Sequence, residues 1–438
     1  MGPILKPVFT AGVALGLLAA ASSACAQSER NDRNELFVGI GTAYFHSSTD
    51  LKAWPEGGLG KLRYADDGVE ATRLFAEYHG RISPTLNARV VADYVDDGSS
   101  GLGIDEAYID WRPIPRSANQ QQVRFGAFYP PLSLENGAHG WESPFTYSYS
   151  AINTWLGEEI RPLGAEWSLR RRLASTRNTQ EIRVFASGFY GNDPAGTLLF
   201  WRGWSLHDRQ TRLNDRLPMP PMPIFGAGGA ILGTTPQSVQ PFTETDHRPG
   251  YYFGAEWRYA RRALVQLARY DNRADPWSYA EKQWGWDTSF DHLAVQVALP
   301  AEIGLMAQWM RGETYWLAGA PVNGGPVPPY VQFVEDAFEA KYLMLTRMWH
   351  EKHRVSLRYD RFLMEREGAT PESHSDDGHA VTLSYRFEPN ERFSGGVEWL
   401  EIESRRDLYP YFYGAPRQAT EDQLRLQFSL RLGAPARR

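Results

Sequence analysis

Residues 423–432 read QLRLQFSLRL and alternate strictly between apolar and polar side chains. The apolar set is Leu424, Leu426, Phe428, Leu430 and Leu432, and the polar set is Gln423, Arg425, Gln427, Ser429 and Arg431. Neighbouring side chains of a β-strand point to opposite faces, so this segment predicts a strand with one apolar face and one arginine-bearing face. The apolar face must meet either a protein core or a lipid bilayer.

The same period of two recurs along the chain and predicts sixteen strands. Each is close to the roughly ten residues that a tilted strand needs to cross a bilayer. Two of the predicted strands, 262–272 and 302–313, alternate poorly. The predicted strands are 35–46, 70–80, 85–95, 103–113, 121–129, 160–171, 179–190, 250–260, 262–272, 289–299, 302–313, 333–346, 352–364, 377–388, 391–403 and 421–432.

The connections between these strands alternate in length. Short ones include RISP (81–84), LPAE (299–302) and EPNE (388–391). The long ones are 47–69, 96–102, 130–159, 191–249, 273–288, 314–332, 365–376 and 404–420. This pattern is typical of a transmembrane, antiparallel, up-and-down β-barrel with long extracellular loops and short periplasmic turns. We therefore predict an all-β barrel of 16 strands, with 18 strands as the alternative, whose last strand closes against the first.

The N-terminus and the composition agree with this class. Residues 1–26 have one positive charge, an apolar run and an Ala-Cys-Ala end, and so predict a cleaved signal peptide and a mature barrel of 27–438. Aromatic residues make up 13% of a chain with net charge −6. This composition favours a polar lumen between aromatic girdles and argues against nucleic acid as a partner. The predicted location is the outer membrane of a Gram-negative bacterium.

Residues 123–136, VRFGAFYPPLSLEN, are followed by SPFTYSYSAINTWLGEEIRPLGAEWSLR at 143–170. Together they resemble the phosphate-selective porin O and P group, in which an Arg-x-Gly strand is followed by Pro and Glu and then by Arg-x-x-Gly. The matching residues are Arg124, Gly126, Pro130 or Pro131, Glu135, Arg161 and Gly164. The resemblance implies a trimeric sixteen-stranded channel with an inward-folded third loop, which is 130–159 in this chain. The phosphate-selective members rely on lysines, and no lysine lies between Lys61 and Lys282, so the sequence does not predict phosphate selectivity.

The alternation directs more arginines than acids into the lumen. The inward arginines are Arg73, Arg89, Arg112, Arg124, Arg183, Arg258, Arg354, Arg358, Arg386, Arg425 and Arg431, and the inward acids are Glu77, Asp93, Asp110, Glu166, Glu256 and Glu398. The expected pore-lining and constriction residues are Arg124, Glu135, Glu158, Glu159, Arg161, Arg183 and Arg112. Rings of arginine favour anions, and the loop acids oppose them, so weak anion selectivity is expected. The alternative is that these groups pair with one another and only line the lumen.

Residues 198–216, LLFWRGWSLHDRQTRLNDR, predict a short helix. Its candidate contacts to a sugar or an anion at the mouth are Trp201, Arg202, Trp204, Arg209 and Arg212; the alternative is a loop helix that docks on the wall. Ser205, His207 and Asp208 are the residue types of a hydrolase triad, but residues two apart do not face each other on a helix. The histidines show no metal-ligand spacing, so neither a metal site nor a cofactor is predicted.

The sequence therefore predicts a porin, a passive channel for small hydrophilic or anionic solutes without catalytic residues. Two alternatives stay open: a barrel enzyme of lipase or protease type, and a structural or adhesion barrel whose lumen is plugged by loop 191–249. The expected partners are outer-membrane lipid, the transported solutes, the outer-membrane assembly machinery and further copies of the chain in a homotrimer.

Overall fold

The computed structural model describes residues 34–95, 101–115, 117–173, 179–220, 238–318, 332–367, 375–410 and 414–433. The predicted signal peptide lies outside these residues. Sixteen antiparallel strands close into one barrel, which confirms the predicted fold class. In chain order the strands β1 to β16 are Asn34–Ser48, Gly68–Arg81, Leu86–Tyr94, Leu102–Trp111, Asn119–Ala127, Leu163–Leu173, Gln180–Tyr190, Gly250–Tyr259, Ala263–Asp271, Asp287–Leu299, Ile303–Ala318, Gln332–Trp349, His353–Glu367, Asp376–Phe387, Phe393–Arg406 and Gln418–Gly433.

The last strand closes the ring against the first. β16 pairs with β1 over twelve residue pairs, from Phe37 opposite Gly433 to Ser48 opposite Asp422. On β16, Leu426 is exposed on the outer wall, whereas Arg425 is buried on the inner side. The alternation of residues 423–432 thus separates lipid from lumen, as predicted. Closure leaves no unpaired strand edge, which hydrocarbon would not tolerate.

Long and short connections alternate around most of the barrel, as predicted, although the connections 95–101 and 112–118 both have seven residues. The short turns lie at the end where β1 begins and β16 ends. In two of them consecutive residues have positive φ: Ala301 with Glu302, and His350 with Glu351. Such pairs are typical of two-residue hairpins, whose backbone twist matches the twist of the strands.

The outer wall is apolar between two aromatic zones. Leu343, Leu383 and Leu426 are among the exposed aliphatic residues of its middle. Exposed aromatic residues near the short turns include Trp111, Phe387 and Phe393, and those near the long loops include Tyr44, Tyr190 and Phe253. Two girdles around an apolar band are typical of a barrel in lipid. Within the described residues, no helix combines the length and the apolar character that a helical membrane span requires.

The lumen is filled by two long connections, residues 128–162 and 191–219, which we call the plug. The plug contains helix α1, Ala151–Glu159, and helix α2, Thr197–Arg202. Every side chain of both helices is buried. The inward fold of loop 130–159 was expected; the structure adds the first half of loop 191–249, whereas its residues 221–237 lie outside the described part.

The lumen wall has two different halves, which corrects the expectation of a uniformly polar lumen. From β7 to β12 the wall presents mainly apolar residues, and Trp155 of α1 packs against Phe290 and Phe338 with ring centroids 5.4 and 5.3 Å apart. The predicted strands 262–272 and 302–313 lie in this half. They alternate poorly because their lumen-facing side chains are apolar as well as their lipid-facing ones. The remaining wall is mainly polar and charged.

We predict that Leu426→Arg lowers the free energy of unfolding by about 2–4 kcal/mol, because it places a guanidinium group near the middle of the lipid-facing wall. Thr420→Arg is the matched control: it lies on the same face of β16 near the long-loop end, where the cost is about 0–1 kcal/mol. Urea unfolding in lipid vesicles, followed by the heat-modifiable gel mobility of the folded barrel, measures both. Equal losses in the two variants would contradict the assigned lipid face.

Candidate functional site

A charged latch holds the plug to the polar half of the wall. On β13, Arg358 donates to the carbonyls of Ser148 at 2.7 Å and Tyr149 at 3.0 Å. On β15, the Glu398 carboxylate accepts from the backbone N–H groups of Tyr147 at 2.6 Å and Ser148 at 2.7 Å. These wall charges satisfy backbone groups of an irregular segment that has no strand partner of its own.

Glu135, an expected constriction residue, belongs to the same latch. Its carboxylate accepts from the N–H of Ser150 at 2.7 Å and lies 3.5 Å from a guanidinium nitrogen of Arg358. Ser150 is the N-cap of α1. Arg358 also pairs with Asp360 at 2.7 Å. Burial raises the pKa of Glu135, and the nearby Arg358 opposes that effect.

Glu158 joins the two parts of the plug. Its carboxylate receives two hydrogen bonds from Arg202 of α2, at 2.8 and 2.5 Å, and lies 2.9 Å from Nε2 of His207. Although burial favours the neutral acid, Arg202 and His207 lower the pKa of Glu158 to about 2. Burial in turn lowers the pKa of His207. The predicted residue Arg202 therefore acts inside the barrel, between plug segments, rather than at a mouth.

Glu159 caps α2. It accepts from the indole N–H of Trp155 at 2.7 Å and from the backbone N–H groups of Leu198 at 3.0 Å and Leu199 at 3.3 Å. A carboxylate beside the first N–H groups of a helix satisfies donors that have no partner within the helix. Burial nevertheless raises the pKa of Glu159 to about 7, and the N–H donors offset this only in part.

Arg73 of β2 is the centre of a second network. The alternation in the sequence predicted only some of the residues in this network. It bonds Asp93 at 2.8 Å, Asp105 at 3.0 Å and the plug carbonyl of Gly140 at 2.6 Å. Asp105 was not among the predicted inward residues. A β-bulge interrupts the pairing of β3 with β4 at this point, so Asp105 and its neighbour Glu106 both face inward.

Arg161 lies just before β6 and is fully buried. It donates to the carbonyls of Gly157, at 3.1 Å, and Thr211, and its guanidinium group lies 3.7 Å from the ring centroid of Tyr129. Two of the predicted mouth arginines lie nearby in the plug: Arg212 and Arg209 both pair with Asp215, at 2.7 and 3.1 Å. Arg161 thus ties the two plug segments to each other, whereas Arg209 and Arg212 stabilise the segment 191–219 internally.

The other expected lumen residues are placed separately. Arg124 and Arg183 share Glu166, at 2.8 and 3.2 Å, on the β5–β7 side of the wall. Arg112 follows β4 at the short-turn rim, where it is largely exposed and pairs with Asp110.

Of the two predicted tryptophan contacts at the mouth, Trp201 packs in the aromatic cluster with Trp316, and Trp204 donates its indole N–H to the carbonyl of Leu363 at 3.1 Å. The structure therefore does not bring all the predicted residues into one constriction.

Sequence reasoning gave no role to Lys61 and Asp376. Lys61 follows β1 in a loop that folds inward, and its ammonium group pairs with Asp376 at 2.7 Å and donates to the carbonyl of Trp204 at 2.9 Å. Burial lowers the pKa of Lys61, which Asp376 opposes. This pair holds the plug near the long loops. Lys61 is an isolated lysine in a long loop, and neither a periodic pattern nor a motif in the sequence predicts its contact with Asp376.

Within the described residues, a polar gap lies between the plug and the wall, on the side of β2, β14 and β16. It has a volume of about 30 Å³, room for a few water molecules. Arg73, Arg386 and Arg425 line it from the wall, and Asp208, Glu142 and Tyr147 line it from the plug. Asp208 bonds Arg63 at 2.8 Å and Arg425 at 2.6 Å, and these two arginines hold the pKa of Asp208 well below its usual range.

Ser205 and His207 do meet, but not as a hydrolase pair. The Ser205 hydroxyl lies 3.3 Å from Nε2 of His207, the same ring nitrogen that faces Glu158. Nδ1 accepts from the backbone N–H of Arg209 at 3.1 Å. In a triad the acid and the hydroxyl occupy opposite ring nitrogens. Since both lie at one nitrogen and all three residues are buried, the group supports packing of the plug rather than nucleophilic catalysis.

No protein-family model matches the chain. No curated protein matches it either. Among solved structures, the outer membrane channel DcaP of Acinetobacter baumannii is similar over 91% of this chain and 96% of that chain, with a TM-score of 0.51 and 11% identity. An anion-selective porin from Comamonas acidovorans has a TM-score of 0.44 and 11% identity, over 91% of this chain and 99% of that one.

OmpF of Salmonella typhi, in complex with daunomycin, has a TM-score of 0.47 and 8% identity, over 91% of this chain and 97% of that one. The structural neighbours are thus outer-membrane porins and channels. The likeness to DcaP supports the fold alone, and the two lower scores add nothing to that inference. The chain therefore has a porin-like barrel fold.

We predict that Glu158→Gln lowers the free energy of unfolding by about 3–5 kcal/mol, because it leaves the buried Arg202 without its carboxylate partner. Glu158→Gln combined with Arg202→Gln should lose less than the sum of the two single variants. Glu313→Gln, an exposed carboxylate on β11, is the control and should change stability by no more than about 0.5 kcal/mol. Urea unfolding in vesicles is the measurement, and identical midpoints for Glu158→Gln and Glu313→Gln would rule out this role.

The raised pKa of Glu159 predicts that the free energy of unfolding depends on pH. Its folded pKa of about 7 lies above the ordinary value of 4.5, so its contribution to stability is fully present below pH 4.5 and is lost as pH rises through 7. Relative to wild type, Glu159→Gln should gain stability between pH 4.5 and pH 8, by up to about 3 kcal/mol. The same unfolding measurement at both pH values tests this, and a difference that does not vary with pH would show that Glu159 is ionised in the folded barrel.

Proposed function

We propose that this chain is an outer-membrane channel of narrow bore for small hydrophilic anions, whose path follows the polar gap between the plug and the wall. The observation that carries the proposal is the set of wall arginines along this gap, Arg73, Arg386 and Arg425. The two-sided chemistry of the wall supports the proposal, because an apolar outer band with aromatic girdles suits a lipid bilayer.

The arginines are spaced along the barrel axis. Arg425 lies opposite Glu398 on β15, whereas Arg386 lies opposite Gly396, at the level of Gln427. Arg431, closer to the short turns, lies 3.8 Å from Glu142 and 3.6 Å from Glu388. An anion could therefore exchange from one guanidinium group to the next. Asp208, Glu142 and Glu388 partly neutralise this row, so the preference for anions should be weak.

An aromatic surface accompanies the row. The guanidinium groups of Arg386 and Arg425 lie 4.7 and 5.3 Å from the ring centroid of Tyr147. Arg386 also donates to the plug carbonyl of Ser143 at 2.7 Å. Because plug residues form one side of the gap, a solute larger than a few waters passes only when segment 142–149 moves away from the wall. The proposal thus includes a small conductance and a dependence on the plug latch.

The proposal also includes several more specific predictions made from the sequence. The resemblance of residues 123–136 and 143–170 to the phosphate-selective porin group implies a channel but does not specify its solute, so the preference for anions rests on the wall arginines alone. The signal peptide at 1–26, the homotrimer, the outer-membrane location and recognition by the assembly machinery stay predictions. A second candidate function, a structural or adhesion barrel, is favoured by the filled lumen and by the small volume of the gap.

We predict stepwise conductance in planar lipid bilayers and a weak anion preference in a KCl gradient. Arg386→Gln combined with Arg425→Gln should shift the reversal potential towards cations, and Asp208→Asn should shift it towards anions. Both shifts should be larger near 10 mM than near 1 M salt, because the screening length falls from about 30 Å to about 3 Å.

Arg261→Gln, in the exposed turn between β8 and β9, removes the same charge away from the gap and is the control. Absence of conductance steps from folded protein would favour the structural barrel. Steps with a clear cation preference in the wild type would mean that the plug acids, rather than the wall arginines, govern the path.

A further inference from the structure

Two histidines and a glutamate meet where the plug touches the wall near the short turns. Glu77 and His79 are two residues apart on β2, so both face the lumen. His139 comes from the plug, at the start of the 3₁₀ turn His139–Trp141. Nδ1 of His139 lies 3.3 Å from Oε1 of Glu77, and Nε2 of His79 contacts the same oxygen. One ligating atom from each residue lies within 4.8 Å of the others.

We propose that Glu77, His79 and His139 bind a divalent transition metal of the zinc class. Imidazole nitrogen and carboxylate oxygen are zinc ligands at about 2.0–2.2 Å, so ligating atoms around one ion lie about 3–4 Å apart. The ligating atoms already lie within 4.8 Å of one another, so small side-chain rotations suffice to reach that geometry. The proposal does not depend on conduction through the barrel.

The surroundings hold two of the ligands in orientation. The ring of His139 stacks on Phe37 with a centroid distance of 3.9 Å and an interplanar angle of 12°. The second carboxylate oxygen of Glu77 accepts from the N–H of Gly140 at 2.6 Å, which leaves the first oxygen facing the imidazoles. Contacts of this kind, outside the ligands themselves, strengthen metal sites by fixing the ligand geometry.

Water can reach the site from the short-turn end. His79 lines a cavity of about 310 Å³ together with Glu35, Arg89, Tyr108, Asp110 and Arg112. His79 is 43% exposed, so its ring has room to turn. Three protein ligands and an open cavity leave a fourth position for water. A metal could therefore enter from the solvent on that side without disturbing the buried part of the plug.

The positive charge of Arg89 opposes metal binding. Arg89 bonds Oε1 of Glu77 at 3.1 Å and also Glu106 at 3.1 Å. A bound cation would displace Arg89 from Glu77, and Glu106 would retain it. Affinity should thus rise when this competition is removed. Because two of the three ligands are imidazoles, zinc, copper and nickel ions suit the site, whereas calcium and magnesium, which take oxygen ligands, do not.

The consequence is a further tie between plug and wall. The latch at Arg358 and Glu398 holds segment 143–150, whereas the metal would hold His139 to β2. Metal binding would therefore stabilise the docked plug, since a ligand that binds only the folded arrangement favours it by mass action.

The test is isothermal titration of the purified full-length barrel with ZnCl₂, and separately with CaCl₂. We expect one zinc ion per chain and no calcium binding at this site. His79→Ala and His139→Ala should each weaken zinc binding by more than about tenfold. Arg89→Gln should strengthen it. His379→Ala is the matched control, because His379 also lies beside a carboxylate, 3.8 Å from Glu403, but on the outer side of the barrel.

Heat-modifiable gel mobility shows that each variant has folded, and His139→Gln replaces His139→Ala if the alanine variant does not fold. Loss of zinc binding in both ligand variants with wild-type affinity in His379→Ala supports the site. Absence of saturable zinc binding by the wild type, or unchanged affinity in either ligand variant, overturns it.

Discussion

A sheet in hydrocarbon cannot leave a strand edge unpaired, and this constraint determines the rest of the molecule. It forces β16 onto β1 and so makes the sheet a ring. Sixteen strands set a wide circumference, because barrel diameter grows with strand number. The resulting interior is too wide for wall side chains alone to fill. The plug, residues 128–162 and 191–219, occupies that space, and its docking decides where an open path can lie.

Two kinds of contact dock the plug, and each suits one half of the wall. Trp155 and its apolar neighbours pack against the β7–β12 half, where burial of apolar surface is the driving force. The irregular segment 143–150 faces the charged half, where Arg358 and Glu398 complete its hydrogen bonds. An unpaired buried carbonyl or N–H group costs about 1–3 kcal/mol, so the charged residues are needed for the plug to enter at all. The small polar gap lies on this charged side.

Much of the fold was predictable from the sequence, because lipid on one side enforces a strict period of two. All sixteen strands, the closure at residues 423–432 and the alternation of loop lengths follow from it. The site was less predictable. Asp105 sits at a bulge that breaks the period, and Lys61 meets Asp376 only through the fold. Glu158 and Glu159 were expected at a constriction, yet their partners are other plug residues, which no local pattern reveals.

The plug latch also has a consequence for the order of assembly. Tyr147 and Ser148 bond Glu398, some 250 residues further along the chain. Contacts at such separation form late, because a long stretch of chain must be ordered before they compensate its lost entropy. The plug is therefore encoded early, but its segment 143–150 is anchored late, because Arg358 and Glu398 are available only when β13 and β15 have joined the sheet. A nascent barrel that stalls before β15 would leave the backbone groups of Tyr147 and Ser148 without their wall partner, and such a partly ordered intermediate is prone to aggregate.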